Sequence, residues 1–340
     1  MRPLTRSQAP AYLAELSECL LCEWRCGVNR LAGELGVCRL GLPQVASRCL
    51  HPAPPESYTI FLAGCNFKCL HCQNWEIAHF PDAGAAIEGW IEPAALARQA
   101  VAGLRSAAGR LMGADRLFFS GGCATCSLPY VEEVVRQARA IDPATRVNFD
   151  TNGFLTPDSL ERVLDFTTSV TFDLRAWDDE VHREMTGAPV APVLRNARVV
   201  ASQPEKLWEF RILLVPGINE EQVAPLSRFL ADLDPDLPVC FLAFRPNFVL
   251  EGHPGATAEE LRQAVETARE AGLRNVEWAG HPGIAGRRRE SAEVDLASAG
   301  ARLAAAYSLA LGCPTHPRSC GDCARQQDCP VKGYQAARRT

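Results

Sequence analysis

From residue 57 onward, short apolar runs alternate with longer segments in which apolar residues recur every three or four positions. The short runs are rich in β-branched and aromatic residues and predict strands, whereas the longer periodicity predicts amphipathic helices. Repeated strand–helix units indicate a parallel sheet, and six or more units favour a full or partial barrel. The predicted strands are 57–63, 115–120, 145–150, 168–173, 207–215, 237–244 and 275–279, and the predicted helices are about 92–111, 127–141, 157–165, 191–202, 221–233 and 257–271.

Polar residues and glycines directly follow several of these strands. Gly121, Gly122, Asp150, Asp173 and Arg175 all stand at or just after predicted strand ends. In α/β barrels the active site gathers at the carboxyl ends of the parallel strands. We therefore expect these residues to line one site.

The two ends of the chain lack the strand–helix alternation. Residues 1–56 are rich in Cys, Gly and Pro and end in "HPAPPES", which predicts an irregular metal-binding module followed by a linker. Residues 286–340 begin with an Ala-rich segment near 291–311, which predicts a helix, and end in a Cys-rich tail. The sequence thus predicts a barrel at 57–285 between two small cysteine-rich segments.

The composition of the chain limits which partners the protein is expected to bind and where in the cell it is expected to occur. The 340 residues are 47% hydrophobic and 22% charged, with a formal net charge of −5. This charge gives no reason to expect a nucleic acid or an anionic membrane as a partner. No apolar run approaches the ~20 residues that span a bilayer, and "MRPLTRSQAP" lacks the apolar core of a signal peptide. We therefore expect a cytoplasmic protein.

Fifteen cysteines are unusual for such a chain, and most of them are closely spaced. In a reducing compartment, spacings such as CX2C indicate metal binding more often than disulfides, because neighbouring thiolates converge readily on one ion or cluster. A secreted disulfide scaffold is the alternative. The groups are Cys19, Cys22, Cys26 and Cys38; Cys65, Cys69 and Cys72; Cys123 and Cys126; and Cys313, Cys320, Cys323 and Cys329, while Cys49 and Cys240 stand alone.

The segment "GCNFKCLHCQN" at 64–74 has the spacing CX3CX2C and directly follows the first predicted strand. Four thiolates would close a tetrahedral zinc site, whereas three leave a position open. A cubane iron–sulfur cluster held by three cysteines keeps one iron available for another ligand. Cys65, Cys69 and Cys72 therefore predict such a cluster, and a zinc site completed by His71 is the alternative.

This loop resembles the defining motif of the radical S-adenosylmethionine (radical SAM) superfamily. The segments "FFSGGC", "FDTNGF", "TFDLRAWDDEVH" and "FRILLVPGINE" follow in the order typical of its pyruvate formate-lyase activating enzyme branch. The resemblance covers 57–285 and implies an α/β fold with a partial (β/α)6 TIM-like barrel. It also implies a catalytic [4Fe–4S] cluster and S-adenosylmethionine (SAM), which is cleaved reductively to a 5′-deoxyadenosyl radical.

The resemblance assigns roles to individual residues around the bound SAM. The backbone at Gly121 and Gly122 would meet the methionine amino group, because glycine permits a close approach. Arg175 would pair with the methionine carboxylate in a charge-assisted contact. His71 would contact the adenine.

Three further polar residues carry over from the same segments. Asp150 and Asp173 would lie around the bound cofactor. Arg211 alternates with apolar residues in a predicted strand and so points into the barrel, where cofactor or substrate would balance its charge. In each case a structural explanation exists, because a strand-end aspartate can cap a helix and an inward arginine can be half of a buried ion pair.

Two positions depart from the branch's pattern. Cys123 stands where an acidic residue usually follows the two glycines, and Arg245 stands where the activating enzyme has a histidine that helps hold a cation. Arg245 could supply a positive charge itself. Cys123 and Cys126 could ligate metal, exchange hydrogen with a radical, or be small residues in a tight loop. The substrate or the chemistry can therefore differ from glycyl-radical installation.

The N-terminal group Cys19, Cys22, Cys26 and Cys38 has the spacing CX2CX3CX11C and offers four ligands. This block resembles the N-terminus of a radical SAM arginine methyltransferase of methanogens, in which the corresponding cysteines bind iron. Four thiolates suit Fe, Zn or a [4Fe–4S] cluster. The sequence does not distinguish a structural role of such a site from a redox role.

The C-terminal group has the spacing CX6CX2CX5C, and its last three cysteines resemble half of the auxiliary-cluster (SPASM) motif of peptide-modifying radical SAM enzymes. We expect a second four-cysteine site there, and a zinc knuckle that fastens the tail is the alternative. Its ligands would be Cys313, Cys320, Cys323 and Cys329.

Taken together, these features predict a radical SAM enzyme that abstracts hydrogen from a peptide or protein substrate. It would receive electrons from a donor such as flavodoxin or ferredoxin. Radical methylation of a protein residue is one alternative, although the roughly 50 residues after 285 are too few for a cobalamin-binding domain. A non-catalytic iron–sulfur electron-transfer protein is the other.

Overall fold

The computed structural model describes residues 10–81, 83–250 and 253–282. The predicted helix at 291–311, the 286–340 segment and the Cys313 group lie outside these residues. The strands are β1 (Val45–His51), β2 (Ser57–Leu62), β3 (Arg116–Gly121), β4 (Arg146–Thr151), β5 (Ser169–Leu174), β6 (Leu207–Leu214), β7 (Val239–Ala243) and β8 (Val276–Ala279). The α-helices are α1 (Trp75–Ala78), α2 (Pro93–Arg105), α3 (Ala107–Met112), α4 (Leu128–Ile141), α5 (Pro157–Phe166), α6 (Asp179–Thr186), α7 (Ala191–Ala201), α8 (Val223–Leu233) and α9 (Ala258–Glu270).

The strands form one sheet whose hydrogen-bonded order follows the chain from β1 to β8. The pairs β2–β3, β3–β4, β6–β7 and β7–β8 are parallel. Chain order in a parallel sheet with intervening helices is the arrangement of a (β/α) barrel. The predicted α/β fold is confirmed, and every predicted strand is present.

Strand β1 lies in the segment that the sequence predicted to be irregular. It pairs antiparallel with β2, with Cys49 opposite Thr59. Only its first two residues are buried, and the exposed or half-buried positions after them include Ser47, Arg48 and His51. Because β1 has no continuous apolar run, the sequence pattern did not predict it as a strand.

The helix predicted at about 92–111 is two helices, because Ser106 interrupts it. The backbone of Ser106 is extended, with φ −66° and ψ 162°, which ends α2. Its side chain accepts a hydrogen bond from the N–H of Gly109 and thereby caps α3. Apolar periodicity continues across the break, so the sequence pattern alone does not show it.

The chain divides into two compact units. The described part of the first covers 10–66 and 74–171, and its core includes Leu62, Phe119 and Val134, each fully buried. The described part of the second covers 67–73 and 172–282 with the gap at 251–252, and its core includes Phe210 and Phe241. Burying a large apolar side chain contributes roughly 1.5–3 kcal/mol, so these residues hold each unit together. Among the described residues, no helix is both long enough and apolar enough to cross a bilayer.

Candidate functional site

The first part of the cysteine loop, 64–66, is held by the loop that follows β4. The Asn152 side-chain amide donates to Asn66 Oδ1 at 2.7 Å, and the Asn66 amide donates to the Phe154 carbonyl at 3.4 Å. The indole N–H of Trp24 donates to the Asn66 carbonyl at 2.7 Å. Asn66 is fully buried and directly follows Cys65. The "FDTNGF" segment therefore supports the cysteine loop, a role that the sequence did not reveal.

The second part of the loop, 67–73, is held by the carboxyl end of α6. The backbone N–H of Lys68 donates to the Thr186 carbonyl at 2.8 Å, and that of Leu70 donates to the Met185 carbonyl at 3.1 Å. Carbonyls in the last turn of a helix have no partner within the helix, so these two bonds satisfy them. Asp178 caps the other end of α6 by accepting hydrogen bonds from two backbone N–H groups. Helix α6 was not predicted.

The three cysteines predicted to hold a cluster form no disulfide. Removal of the Cys69 thiol from water raises its pKa to about 12, and the nearby Arg175 guanidinium acts in the opposite direction. An isolated Cys69 would therefore stay protonated at neutral pH. A metal centre ionises its thiol ligands, so a bound cluster would overcome this burial. The donor set thus fits a thiophilic metal.

His71 lies between two of the predicted ligands and is buried. Burial lowers its pKa well below the usual range, and the Arg175 charge lowers it further. The ring is therefore neutral at pH 7. Its Nε2 is buried without a hydrogen-bond partner among the described residues. A buried polar atom of this kind calls for a polar partner, and a bound adenine would supply one.

Gly121 and Gly122 bring the end of β3 very close to β2 and to the cysteine loop. A Cβ atom at Gly121 would lie 2.4 Å from the backbone of Leu62, and one at Gly122 would lie 2.2 Å from the Gly64 carbonyl oxygen. The backbone N–H of Cys123 donates to that same carbonyl at 2.8 Å. The structure thus explains both glycines by contacts within the protein, whereas the sequence suggested a ligand. Their contact with SAM remains a prediction.

The predicted acidic residues and Arg175 have partners within the chain. Ser120 Oγ donates to Asp150 Oδ2 at 2.5 Å. Arg175 Nη2 pairs with Asp173 Oδ2 at 2.7 Å, and both side chains are partly exposed. The Arg175 carbonyl accepts a hydrogen bond from the Asn219 side chain at 2.9 Å, which fixes the backbone after β5. Their contacts with a cofactor remain predictions.

Arg211 is half of an ion pair. The sequence offered this explanation as the alternative to a charge balanced by cofactor or substrate. Its Nε lies 2.5 Å from Glu209 Oε1 on the same strand.

A group of possible metal ligands, which the sequence did not predict, lies beside this pair. The ligand atoms of Glu209, Cys240 and Glu277 lie within 4.8 Å of one another. Burial raises the pKa of Cys240 to about 12, and Glu209 adds to the rise, so its thiol is neutral. Arg245 is exposed.

The four N-terminal cysteines gather in one place. Burial raises the pKa of Cys22 well above its usual range, and the charges of Cys38, Cys26 and Cys19 raise it further. The same two causes, burial and the Cys38 and Cys19 charges, raise the pKa of Cys26. Charges influence one another's ionisation most strongly at short range, so these thiols lie near one another. Their binding of one metal remains a prediction.

Cys123 and Cys126 connect two of the predicted ligand groups. The backbone N–H of Cys126 donates to the Cys123 carbonyl at 3.1 Å, and the Cys126 carbonyl accepts a hydrogen bond from Arg30 Nη1 at 2.7 Å. The backbone N–H of Cys123 donates to the carbonyl of Gly64, which precedes Cys65. Both cysteines are buried. The sequence placed Cys123 and Cys126 near the cofactor but could not show that their backbone joins the N-terminal segment to the cysteine loop.

A sequence profile of the Radical SAM superfamily matches residues 59–230, about half of the chain. An uncharacterised protein of Methanocaldococcus jannaschii is 24% identical over 273 residues, which is 76% of this chain and 75% of that protein. The pyruvate formate-lyase-activating enzyme of Staphylococcus epidermidis is 26% identical over 196 residues, 53% of this chain and 71% of the enzyme. The structure of Streptococcus suis SuiB bound to S-adenosylmethionine is 17% identical, with a TM-score of 0.46, and the match covers 64% of this chain and 48% of SuiB.

Proposed function

Because the chain belongs to the radical SAM superfamily, we propose that Cys65, Cys69 and Cys72 hold its catalytic [4Fe–4S] cluster. The observation that carries this assignment is a loop with three cysteines, none in a disulfide, inside the matched range. Three thiolates leave one iron open for SAM. When bound, the cluster supplies the electron that cleaves SAM to methionine and a 5′-deoxyadenosyl radical, which abstracts hydrogen from the substrate.

The protein's own contribution is to hold the loop and the polar end of SAM. Asn66 and the α6 carbonyls fix the backbone on either side of Cys69, so the thiols need little reorganisation on binding. Arg175, balanced by Asp173, would bind the methionine carboxylate. The neutral His71 ring would hydrogen-bond the adenine through Nε2. Gly121, Gly122, Asp150 and Arg211 are the further SAM-binding candidates.

We propose a peptide or protein as the substrate. The likeness to an enzyme whose name says that it activates pyruvate formate-lyase supports this choice. An external low-potential donor, such as flavodoxin or ferredoxin, would supply the electron. The cysteines at 19, 22, 26 and 38 would form a second metal site, and the C-terminal group a third.

The experiment that tests the assignment is a SAM-cleavage assay. The protein is reconstituted anaerobically with iron and sulfide, reduced with dithionite in the presence of SAM, and assayed for 5′-deoxyadenosine by chromatography. We expect product from the wild type and from Cys49→Ala, because Cys49 is an exposed residue of β1. Cys69→Ala should give none. Equal product from wild type and Cys69→Ala would contradict the proposed function.

A further inference from the structure

The N-terminal cysteine segment, 19–38, contacts the cysteine loop through Trp24. The indole N–H of Trp24 donates to the backbone carbonyl of Asn66 at 2.7 Å, although the two residues lie 42 positions apart in the sequence. Asn66 is fully buried and directly follows Cys65. Among the described residues, no other donor reaches this carbonyl. A buried carbonyl requires a hydrogen-bond partner, so Trp24 satisfies a need of the cysteine loop.

Trp24 is itself held against the loop that follows β4. The backbone N–H of Glu23 donates to the Phe154 carbonyl at 3.3 Å. Cys22 forms an antiparallel bridge with Leu155. The Trp24 ring packs on the Phe154 ring with centroids 5.2 Å apart and planes at 54°. Backbone pairing and aromatic contact together fix the direction of the indole N–H. The N-terminal segment therefore presents this donor in a set position.

The bond to Asn66 completes the support of Cys65. On the other side of this cysteine, the N–H of Gly64 donates to the Ile77 carbonyl at 2.8 Å, and the Gly64 carbonyl accepts from the N–H of Cys123 at 2.8 Å. Cys65 Sγ lies 3.9 Å from Asn66 Oδ1. The backbone on both sides of Cys65 is thus hydrogen-bonded, and on the Asn66 side the donor comes from the N-terminal segment.

Loss of this indole donor would be transmitted to Cys65. The buried Asn66 carbonyl would lack its partner, so its peptide group would turn toward another donor or toward water. Because Cys65 and Asn66 are adjacent, such a rotation displaces the Cys65 thiol. A misplacement of about 1 Å in a catalytic site can reduce a rate by roughly a hundredfold. The direction of this one hydrogen bond therefore bears on the reaction.

We propose that Trp24 is a positioning residue for SAM cleavage, because its indole N–H sets the backbone of Asn66 and thereby the thiol of Cys65. This role rests on the proposed function, which assigns Cys65 to the catalytic cluster. Trp24 acts through Asn66 and not by contact with the reacting atoms. The N-terminal segment is thereby part of the catalytic apparatus as well as a candidate metal-binding module.

Two substitutions at residue 24 separate the hydrogen bond from the packing of the ring. Trp24→Phe keeps an aromatic ring against Phe154 but has no donor. Trp24→Gln loses the ring but carries an amide N–H at the same number of bonds from Cβ as the indole nitrogen. Trp90→Phe is the matched control, because Trp90 Nε1 donates to Glu92 Oε1 at 2.9 Å and its ring packs on Tyr130 with the same 5.2 Å and 54°. That hydrogen bond is exposed and local.

Each full-length variant is reconstituted anaerobically, checked for folding by circular dichroism and for iron and sulfide content, and assayed for 5′-deoxyadenosine. Trp24→Phe should lower the rate of SAM cleavage per bound cluster by about tenfold. It should also change the electron paramagnetic resonance spectrum of the reduced cluster, which a role in global stability alone would not alter. Trp24→Gln and Trp90→Phe should keep the wild-type spectrum and most of the rate.

The outcomes separate this proposal from the proposed function. An unchanged rate and spectrum in folded Trp24→Phe would overturn the role of Trp24, as would an equal loss in Trp24→Gln or Trp90→Phe. If Trp24→Phe does not fold, folded Trp24→Gln decides, because wild-type cleavage supports the donor and a large loss contradicts it. Absence of SAM cleavage by the wild type would instead contradict the proposed function.

Discussion

The ring of Phe67 stands edge-on against the imidazole of His182, with centroids 5.5 Å apart and planes at 79°. Phe67 lies in the cysteine loop and His182 lies in α6, so this contact joins the loop to the helix beside the two backbone bonds to Met185 and Thr186. His182 Nδ1–H donates to the Ala188 carbonyl at 2.7 Å, which fixes the ring. The loop is therefore supported by a buried, neutral histidine.

The stability of this arrangement should depend on pH through His182. Burial, together with the charges of Arg175 and Arg183, lowers its pKa to about 4, although the Ala188 bond and Asp179 act in the opposite direction. Because the folded pKa lies below the unfolded value, the unfolded chain binds the proton more tightly. The stability that the neutral His182 ring contributes to the folded protein is fully present above about pH 6.5 and is lost as the pH falls toward 4. Between pH 7.5 and 5 the loss should be roughly 2 kcal/mol.

Urea unfolding of the full-length protein at these two pH values provides the measurement. His182→Asn keeps an N–H donor for the Ala188 carbonyl but removes the titrating ring, so its free energy of unfolding should fall less over this interval. A variant of the exposed His281, His281→Asn, should retain the wild-type dependence. The same fall in wild type and His182→Asn would show that other groups cause it.

Gly122→Ala should disturb the cysteine loop. The new methyl group would lie 2.2 Å from the Gly64 carbonyl oxygen, which is backbone and cannot rotate away. Overpacking of this kind costs typically about 1–3 kcal/mol, and the shift would be passed to the neighbouring Cys65. We expect a lower melting temperature and less bound iron after reconstitution. Gly41→Ala is the control, because its nearest contact would be an ordinary 3.5 Å, and equal iron loading in both variants would contradict this account.

Asn152→Asp should loosen the same loop from the other side. The substitution replaces the donor to Asn66 Oδ1 with a carboxylate oxygen, so two acceptors face each other at a half-buried position. Leaving such a group without its partner costs about 1–3 kcal/mol. We expect slower SAM cleavage and lower thermal stability. Asn275→Asp makes the same change at an exposed position and should leave both quantities near the wild-type values.

The residues behind these predictions show what the sequence could and could not reveal. The strands, the α/β class and the three-cysteine loop follow from local patterns, because apolar periodicity and ligand spacing are properties of neighbouring residues. The partner of Asn66 is Asn152, which lies far from it in the sequence. His182 contacts the distant Phe67 and belongs to α6, a helix that the sequence did not predict. Both Asn152 and His182 occur in the family-like segments, yet only the folded chain shows that they hold the cysteine loop.

The sequence also could not show why residue 122 is a glycine. A glycine beside a binding loop is consistent with a close ligand or with close backbone, and the sequence favoured the ligand. The 2.2 Å distance to the Gly64 oxygen shows that close backbone already requires glycine here, and contact with SAM stays a prediction. The sequence did not single out Arg30, because its burial depends on Leu40, Gly41 and the distant Cys126.

Arg30→Gln should weaken metal binding by the N-terminal cysteines. Thiols ionise when they bind a metal, and the buried guanidinium, whose Nη1 lies 3.7 Å from Cys19 Sγ, stabilises thiolate charge most strongly where water is excluded. Glutamine retains a hydrogen-bond donor but removes the charge. Metal analysis after anaerobic reconstitution should therefore show less metal bound to the Arg30→Gln protein than to the wild type.

Two matched variants separate charge from packing in this experiment. Arg30→Lys keeps the charge at the buried position and should restore the metal content at least in part. Arg25→Gln removes an arginine of the same segment that is exposed and paired with Glu23, so solvent should screen its loss. Wild-type metal content in a folded Arg30→Gln protein would mean that Arg30 is a structural residue and that its charge does not act on the cysteines.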